Sequence, residues 1–131
     1  MTITAEDVYA LAPFAKTLGV TFGELASGPL TARLPFTPGL STTHGGLHGG
    51  ALMGFADVTA AVCAVLNGPP GGIPATVTSS TFFLAPVRGD ALAVASPLHV
   101  GKSSVTVEVD VKDDSGRLCV RVVQTVAVRP R

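Results

Sequence analysis

The chain has 131 residues, a usual length for one domain, and we expect a single domain over residues 1–131. Lys plus Arg and Asp plus Glu number nine each, so the zero net charge disfavours nucleic acid and anionic membranes as partners. Charged residues make up 14% of the chain, against about 25% in an average soluble protein, which indicates that an oligomer contact covers part of the surface.

Membrane-spanning and export signals are not predicted. The charge-free segments 34–56 and 58–87 are each interrupted by Gly, Pro and polar residues, whereas a membrane span needs about 20 continuous apolar residues. The N-terminal residues lack a basic leader and an apolar signal core. Cys63 and Cys119 lie in apolar runs, where a buried, reduced thiol is the rule. We therefore expect a cytoplasmic protein.

The first predicted elements are a helix and a β-hairpin. Thr4 followed by Asp7 is typical of a helix N-cap, and apolar residues then recur at helical spacing as far as Leu18. Pro13 within this segment predicts that the helix is short or kinked. Residues 20–36 contain short strand-like segments around Ser27-Gly28-Pro29, which predicts a hairpin.

The second half of the chain predicts four successive antiparallel strands, the first near residues 73–84. Its clearest segment is 105–111, where Val at every second position alternates with polar residues, as in a strand with one face in water. The same alternation predicts two more strands, whose apolar faces carry Leu92, Val94, Leu98 and Val100 in one and Leu118, Val120, Val122, Val126 and Val128 in the other.

An irregular loop over residues 38–50 leads into an apolar helix over residues 49–66. Because this helix lacks a polar face, we expect one curved sheet to bury it on all sides, in an α+β architecture. Its one ionisable residue is Asp57, and burying an unpaired carboxylate costs several kcal/mol. A function as base or nucleophile explains Asp57, but so does a hydrogen bond to a loop or a place at a solvated seam.

The residues around Asp57 on the same helix are small. Those three to seven positions away predict a slot for a facing helix or a ligand, and they are Gly50, Gly54, Ala60, Ala61 and Ala64.

The N-terminus of the same helix has the sequence His48-Gly49-Gly50. Its backbone N–H groups have no side chains in the way and lie at the positive end of the helix dipole. Such a donor stabilises the oxyanion of an acyl-transfer transition state by about 2.7–4 kcal/mol. A tight turn would explain the two glycines equally well.

Gly49 and Asp57 are eight residues apart, which is about 12 Å along a helix, so one chain cannot bring both to the same carbonyl. Two copies with antiparallel helices would form two equivalent sites per dimer.

Together these residues resemble the hot-dog fold acyl-CoA thioesterases of the phenylacetate-pathway (PaaI-like) type. The resemblance covers the chain from about Leu40 to its end. It rests on His48-Gly49-Gly50-Ala51-Leu52, Asp57 nine positions after the histidine, Phe82-Phe83-Leu84-Ala85-Pro86-Val87-Arg88-Gly89-Asp90, Val100-Gly101-Lys102 and Asp114-Ser115-Gly116-Arg117-Leu118.

The resemblance implies hydrolysis of an acyl-CoA thioester to the free acid and coenzyme A, in an obligate homodimer or a dimer of dimers, with no metal or redox cofactor. It implies that the Gly49 amide polarises the thioester carbonyl, and that Asp57 of the neighbouring subunit acts as nucleophile or activates water. His48 would shape the loop. Thr42 and Gly50 would contact the substrate.

The resemblance also implies coenzyme A contacts at Arg88, Gly89, Lys102 and Ser103. Two of these are cations, as phosphate binding requires. From the sequence alone, Arg88 and Lys102 are equally well explained as turn residues.

Three features depart from the family pattern. Thr42 stands where the family commonly has Asn or Gln, and Ala61 stands where relatives often have a hydroxyl. The His-Gly-Gly sequence also occurs at His44, but only His48 has the expected spacing to Asp57.

Other functions stay open at this point. They are a non-catalytic acyl-CoA-binding or regulatory module of the same fold, a hot-dog dehydratase, and a metal site formed by His44, His48 and Asp57. The acyl group is not readable from the sequence, since Phe55, Phe82 and Phe83 fit either an acyl pocket or the core.

Overall fold

Three α-helices and six strands are formed by residues 2–130, the part of the chain that the computed structural model describes. The helices are α1 at Ala5–Leu11, α2 at Pro13–Leu18 and α3 at Gly49–Asn67. The strands are β1 at Thr21–Phe22, β2 at Leu30–Leu34, β3 at Ile73–Phe83, β4 at Ala91–Val100, β5 at Ser104–Lys112 and β6 at Leu118–Arg129.

The N-terminal helix is split in two, as its sequence predicts. The Thr4 hydroxyl accepts a hydrogen bond from the Asp7 amide, and the Asp7 carboxylate accepts one from the Thr4 amide, which closes the predicted cap of α1. Pro13 is the first residue of α2, where its missing N–H leaves no helical hydrogen bond unmade. The break between the helices therefore falls at Ala12.

All six strands belong to one antiparallel sheet with the order β1-β2-β4-β5-β6-β3. The predicted hairpin before the helix is β1 and β2, and the four predicted strands after the helix are β3 to β6. Their order was not predictable from alternation: β3 does not pair with β4 but crosses to the far edge and pairs with β6, while β2 takes the place beside β4.

The sheet lays one face against α3, and β5 and β6 show the predicted alternation. In β5 the four valines are fully buried, and the polar residues between them face outward.

The prediction of which β4 side chains face the core is wrong. Its buried residues are Ala91, Ala93 and Ala95, while Leu92 and Val94 lie on the outer face and are partly exposed. Alanines at the inward positions leave room for the backbone of α3 to approach the sheet, which larger side chains would prevent.

The expectation that α3 is buried on all sides is also wrong. Its sheet-facing side is buried, but Gly50, Met53 and Asp57 are exposed. These residues are three and four positions apart, so they form one stripe along the helix. A single sheet covers one side of a helix, and α2 covers another near Gly54, where the ring of Phe14 and a methyl group of Leu18 lie 3.0–3.5 Å from the position a Cβ would occupy. No element formed by residues 2–130 covers the stripe that contains Asp57.

By length and composition alone, α3 is the one helix within residues 2–130 that could cross a membrane. Half of its most apolar window is buried inside the fold, as expected of the core helix of a sheet-wrapped domain.

Asp90 joins the end of β2 to the start of β4. Its carboxylate accepts hydrogen bonds from the Phe36 backbone amide, at 2.7 Å, and from the Arg33 guanidinium. These bonds, the one from the Phe36 amide foremost, hold the pKa of Asp90 below its usual value of 3.8.

We expect Asp90→Asn to lower the thermal unfolding midpoint at neutral pH and to matter progressively less in acid. Because the pKa of Asp90 is lower in the folded chain than in the unfolded one, its ionised form stabilises the fold above about pH 4, and this stabilisation is lost as the pH falls through the folded value. Thermal melts followed by circular dichroism at about pH 7 and about pH 2 measure this difference. Glu24→Gln, a change at an exposed carboxylate, is the control. A midpoint difference of the same size at both pH values would contradict the prediction.

Candidate active site

The N-terminus of α3 presents a backbone amide without an acceptor. His48 is the N-cap, and its Nδ1 accepts a hydrogen bond of 2.8 Å from the Gly50 amide. The Gly49 amide has no acceptor among residues 2–130. Of the two glycine amides predicted as oxyanion donors, only that of Gly49 is therefore free, because the histidine cap occupies the other.

The loop before α3 is fixed by backbone hydrogen bonds on both sides. The Leu47 amide donates to the Val87 carbonyl and the His48 amide to the Leu40 carbonyl, each at 2.8 Å. Gly46 lies so close to this connection that a Cβ would be 3.1 Å from the Val87 carbonyl oxygen. The loop therefore holds the start of α3 against the segment between β3 and β4.

The two His-Gly-Gly sequences have different structures. His44 lies in a 3-10 turn with a left-handed φ of 68°, and its side chain is exposed. Thr42 caps that turn: its amide donates to the Gly46 carbonyl, and its own carbonyl accepts from the Gly45 amide. His48, by contrast, begins the helix, so it is the histidine beside the free amide.

Asp57 lies on the exposed stripe of α3, two turns further along. Its Oδ1 accepts a hydrogen bond of 2.7 Å from the Thr76 hydroxyl on β3 and one of 2.6 Å from the Gln124 side-chain amide on β6. The other carboxylate oxygen, Oδ2, has no hydrogen-bond partner in the described chain. The prediction that Asp57 is buried is wrong for the single chain, since the sheet reaches only one of its oxygens.

Thr76 and Gln124 are not predicted as site residues by the sequence motifs, although the apolar pattern around Gln124 indicates an unusual position. The inward-facing residues of β6 are valines at positions 120, 122, 126 and 128, and the series is interrupted at position 124. A fully buried glutamine within a valine series is costly unless it is hydrogen-bonded, which is a reason to look for a polar partner on the facing helix.

The small residues of α3 are predicted to leave a slot for a facing helix or a ligand, and α2 fills part of it. Ala60 and Ala64 are fully buried, and Gly54 packs under α2. Gly50 and Ala61 remain at least partly exposed. Most of the small side chains thus allow close packing of the helix with its neighbours, whereas Gly50 lies on the exposed stripe with Asp57.

Gly49 and Asp57 occupy the first and ninth positions of one continuous helix, which separates them by about 12 Å. A thioester carbonyl at the Gly49 amide is therefore out of reach of Asp57 in the same chain.

The four residues expected to contact coenzyme A form two separate pairs. Arg88 and Gly89 precede β4, whereas Lys102 and Ser103 follow it, and a ten-residue strand is about 33 Å long. The side chains of Arg88, Lys102 and Ser103 are exposed. Within one chain these pairs cannot contact the same phosphate group, but two chains could bring one pair from each to a shared ligand.

An open groove of about 260 Å³ lies beside the first turn of α3. Its apolar wall includes Phe14, Leu18, Leu40 and Ala51, and its polar end includes His48. Among the aromatic residues considered for an acyl pocket, Phe55 is fully buried in the core and Phe82 lies exposed on the sheet. The half-exposed ring of Phe83 lies 3.3 Å from where a Cβ of Gly49 would be.

Neither cysteine is suited to act as a nucleophile. Both thiols are free and buried. Burial raises the pKa of Cys63 to about 11 and raises the pKa of Cys119 as well, so the reactive thiolate is disfavoured at neutral pH. No cluster of three or more His, Cys, Asp or Glu side chains that could hold a metal occurs in the part of the chain that the structure describes.

The fold and sequence together define the class of protein. The family model for the thioesterase superfamily matches residues 44–120, more than half of the chain, so the chain belongs to the thioesterase superfamily. Its architecture is that of the hot-dog fold, and the enzyme class is thioester hydrolase. The predicted resemblance and fold are confirmed.

Several relatives share nearly the whole chain. The proofreading thioesterase EntH of Cronobacter sakazakii is 28% identical over 120 residues, which cover 91% of this chain and 88% of the relative. AziG of S. sahachiroi is 27% identical with a TM-score of 0.84, covering 92% of this chain and 99% of that one. The PaaI protein of the E. coli phenylacetic acid degradation operon is 20% identical with a TM-score of 0.85, covering 95% of this chain and 89% of that one, and it shows the shared fold.

We expect His48→Ala to lower the free energy of unfolding by about 1 kcal/mol, because the Gly50 amide loses its acceptor at the N-cap. His48→Asn restores a good capping side chain and should recover most of that loss. His44→Gly should not destabilise the protein, because glycine adopts a left-handed φ without steric cost. Urea unfolding of the three variants measures the differences. A larger loss for His44→Gly than for His48→Ala would overturn this assignment of the cap.

Proposed function

We propose that this thioester hydrolase acts on acyl-CoA thioesters, with Asp57 as general base or nucleophile and the Gly49 amide as oxyanion donor. One observation carries the proposal: within the described part of the chain, the first amide of α3 has no acceptor, and the carboxylate on its exposed stripe has one oxygen without a partner. An acyl-transfer reaction needs these two groups, a donor where negative charge develops and a base or nucleophile facing it.

In the general-base form, Asp57 Oδ2 takes a proton from a water molecule as the water oxygen bonds to the thioester carbon. The carbonyl electrons move onto the oxygen, which the Gly49 amide stabilises by a hydrogen bond. The C–S bond then breaks, and the thiolate of coenzyme A leaves and takes up the proton held by Asp57. In the nucleophilic form, Oδ2 itself bonds to the carbon and displaces the thiolate, and water hydrolyses the resulting anhydride.

The site is proposed to be shared between two subunits of a homodimer. This follows from the length of α3, which keeps Gly49 and Asp57 of one chain about 12 Å apart. The outer edge of β3, the strand whose Thr76 contacts Asp57, pairs with no other strand within residues 2–130. The strand is rich in exposed residues, including Val77 at 62% and Phe82 at 55%. A long, exposed edge strand of this kind, with apolar side chains among Thr and Ser residues, presents unpaired backbone groups with which another chain can pair. A second copy placed there would bury the stripe that holds Asp57.

The proposed substrate contacts divide between the acyl and nucleotide parts. The groove lined by Phe14, Leu18 and Leu40 is apolar and adjoins His48 and Gly50, so it suits the acyl chain. Arg88 and Lys102 are exposed cations that suit phosphate groups of coenzyme A, with Gly89 and Ser103 beside them. Thr42 lies on the loop before His48 and is a further proposed substrate contact. The proposed location is the cytoplasm, in keeping with two free cysteines.

We expect Asp57→Asn and Gly49→Pro each to reduce the rate of thiol release from acyl-CoA by about 10²–10⁴-fold. Proline suits the first position of a helix, and His48 already has an extended ψ of 138°, so Gly49→Pro removes the amide hydrogen with little change of backbone. Gly49→Ala, which keeps that hydrogen, and Glu24→Gln are the matched controls. If unmodified protein binds acyl-CoA but releases no thiol, the proposal fails in favour of a binding module.

The same two variants test the shared site. In a mixed dimer, the intact Gly49 of one subunit faces the intact Asp57 of the other, and the second site lacks both groups. Refolding equal amounts of Asp57→Asn and Gly49→Pro together should therefore restore about a quarter of the unmodified activity, since about half of the dimers are mixed and each has one working site. No recovery, with mixed dimers verified by mass spectrometry, would place the site within one chain.

We expect Val77→Asp to give an inactive monomer, because it places a charge on the β3 edge proposed as the dimer contact. Val94→Asp, on the outer face of the sheet, is the matched control. It should leave an active dimer, and it would also separate a dimer of dimers that forms through that face. Light scattering coupled to size-exclusion chromatography measures the assembly. An active monomeric Val77→Asp would refute the shared site.

A further inference from the structure

Gln124 contacts the carboxylate of Asp57, but one polar atom of its buried side chain has no hydrogen-bond partner within residues 2–130. Its side chain is fully buried on the inner face of β6. Nε2 donates to Asp57 Oδ1 at 2.6 Å and to the Thr76 hydroxyl at 3.1 Å. Its Oε1 is buried with no hydrogen-bond partner among the described residues. Because unsatisfied buried polar atoms destabilise a fold, an apolar residue of the same size would serve the core better at this position.

The hydrogen bonds among Asp57, Thr76 and Gln124 are compatible with only one orientation of the Gln124 side-chain amide. The Thr76 hydroxyl gives its hydrogen to Asp57 Oδ1 and accepts one from Gln124 Nε2. Turning the Gln124 amide over would place Oε1 against a carboxylate oxygen, where neither atom carries a hydrogen. The Asp57 carboxylate therefore sets the orientation of the Gln124 amide. Thr76 and Gln124 both donate to the same carboxylate oxygen, Oδ1.

We propose that Gln124 is a positioning residue for Asp57: together with Thr76 it holds Oδ1, so that Oδ2 faces the substrate as the reacting oxygen. This inference rests on the proposed function of Asp57. Without the two donors the carboxylate on the exposed stripe could rotate about its side-chain bonds, and its reactive oxygen would be correctly placed for only part of the time. The fold then loses some stability at the Gln124 Oε1 atom, which has no partner within residues 2–130, because its Nε2 is placed to donate to an exposed carboxylate.

The test compares Gln124→Met with unmodified protein by steady-state kinetics and thermal unfolding. Methionine fills a similar volume without a donor. We expect kcat to fall by about 10–100-fold while KM changes by less than about two-fold, because the carboxylate is misplaced and substrate binding is intact. The unfolding midpoint should stay equal or rise, since the unpaired Oε1 is removed. A residue with a purely structural function would give the opposite result, a lower midpoint with unchanged kcat per folded molecule.

Two isosteric changes on β3 complete the test. Thr76→Val removes the second donor to Asp57 and should also lower kcat. Thr81→Val removes a buried hydroxyl that has no hydrogen-bond partner within residues 2–130, and it should leave kcat unchanged. If Gln124→Met does not fold, Thr76→Val decides alone: lowered kcat supports the inference and unchanged kcat overturns it.

Failure of this inference is distinguishable from failure of the proposed function. An active Asp57→Asn protein would remove the proposed function and this inference together. An inactive Asp57→Asn protein beside a fully active Gln124→Met protein would overturn the positioning of Asp57 by Gln124 alone.

Discussion

A single antiparallel sheet can cover only one side of a helix, and this constraint shapes the whole molecule. The sheet buries one side of α3 deeply, with alanines on β4 and valines on β5 and β6 against it. The helix α2 covers a second side at Gly54. What remains is a stripe from Gly50 to Asp57, exposed although it belongs to the most apolar segment of the chain. The candidate active site lies on this stripe because it is the part of the core helix that the fold leaves open.

The Asp57 carboxylate on that stripe accepts hydrogen bonds from the side of the sheet. Thr76 and Gln124 approach Asp57 from the two strands at the sheet edge, β3 and β6, which lie far apart in the chain but pair in the sheet. One oxygen is fixed by these donors, and the other has no hydrogen-bond partner within residues 2–130. A group that is anchored on one side and free on the other suits a base or nucleophile better than a group fully enclosed in the core.

The helix also separates the two groups proposed to take part in the reaction, the Gly49 amide and the Asp57 carboxylate. Its first turn offers the amide that would stabilise an oxyanion, and its third turn offers the carboxylate, at a distance set by the helical rise. The same stripe lies next to β3, whose Thr76 contacts Asp57 and whose outer edge pairs with no strand within residues 2–130. The exposed stripe and the open edge are thus consequences of one arrangement. A second subunit at that edge would cover both and would bring together the two groups of the proposed site.

Periodicity and local chemistry determined much of this protein from the sequence. The Thr4 and Asp7 cap, the break at Pro13, the start of α3 at Gly49 and the valine alternation of β5 and β6 depend on residues close together in the chain, and the structure contains them all. The motifs at His48–Asp57, Phe82–Asp90, Val100–Lys102 and Asp114–Leu118 together indicated the thioesterase superfamily, which the family match confirms.

Only the tertiary structure decided which face of each element is covered. Alternation in β4 cannot tell the alanine face from the leucine and valine face, since the choice depends on how closely α3 packs there. The place of β3 beside β6, and hence the contact of Thr76 and Gln124 with Asp57, depends on pairing between segments about 50 residues apart in the chain. The exposure of Asp57 follows from the same pairing, because a residue's burial is set by what packs over it and not by the polarity of its neighbours in the chain.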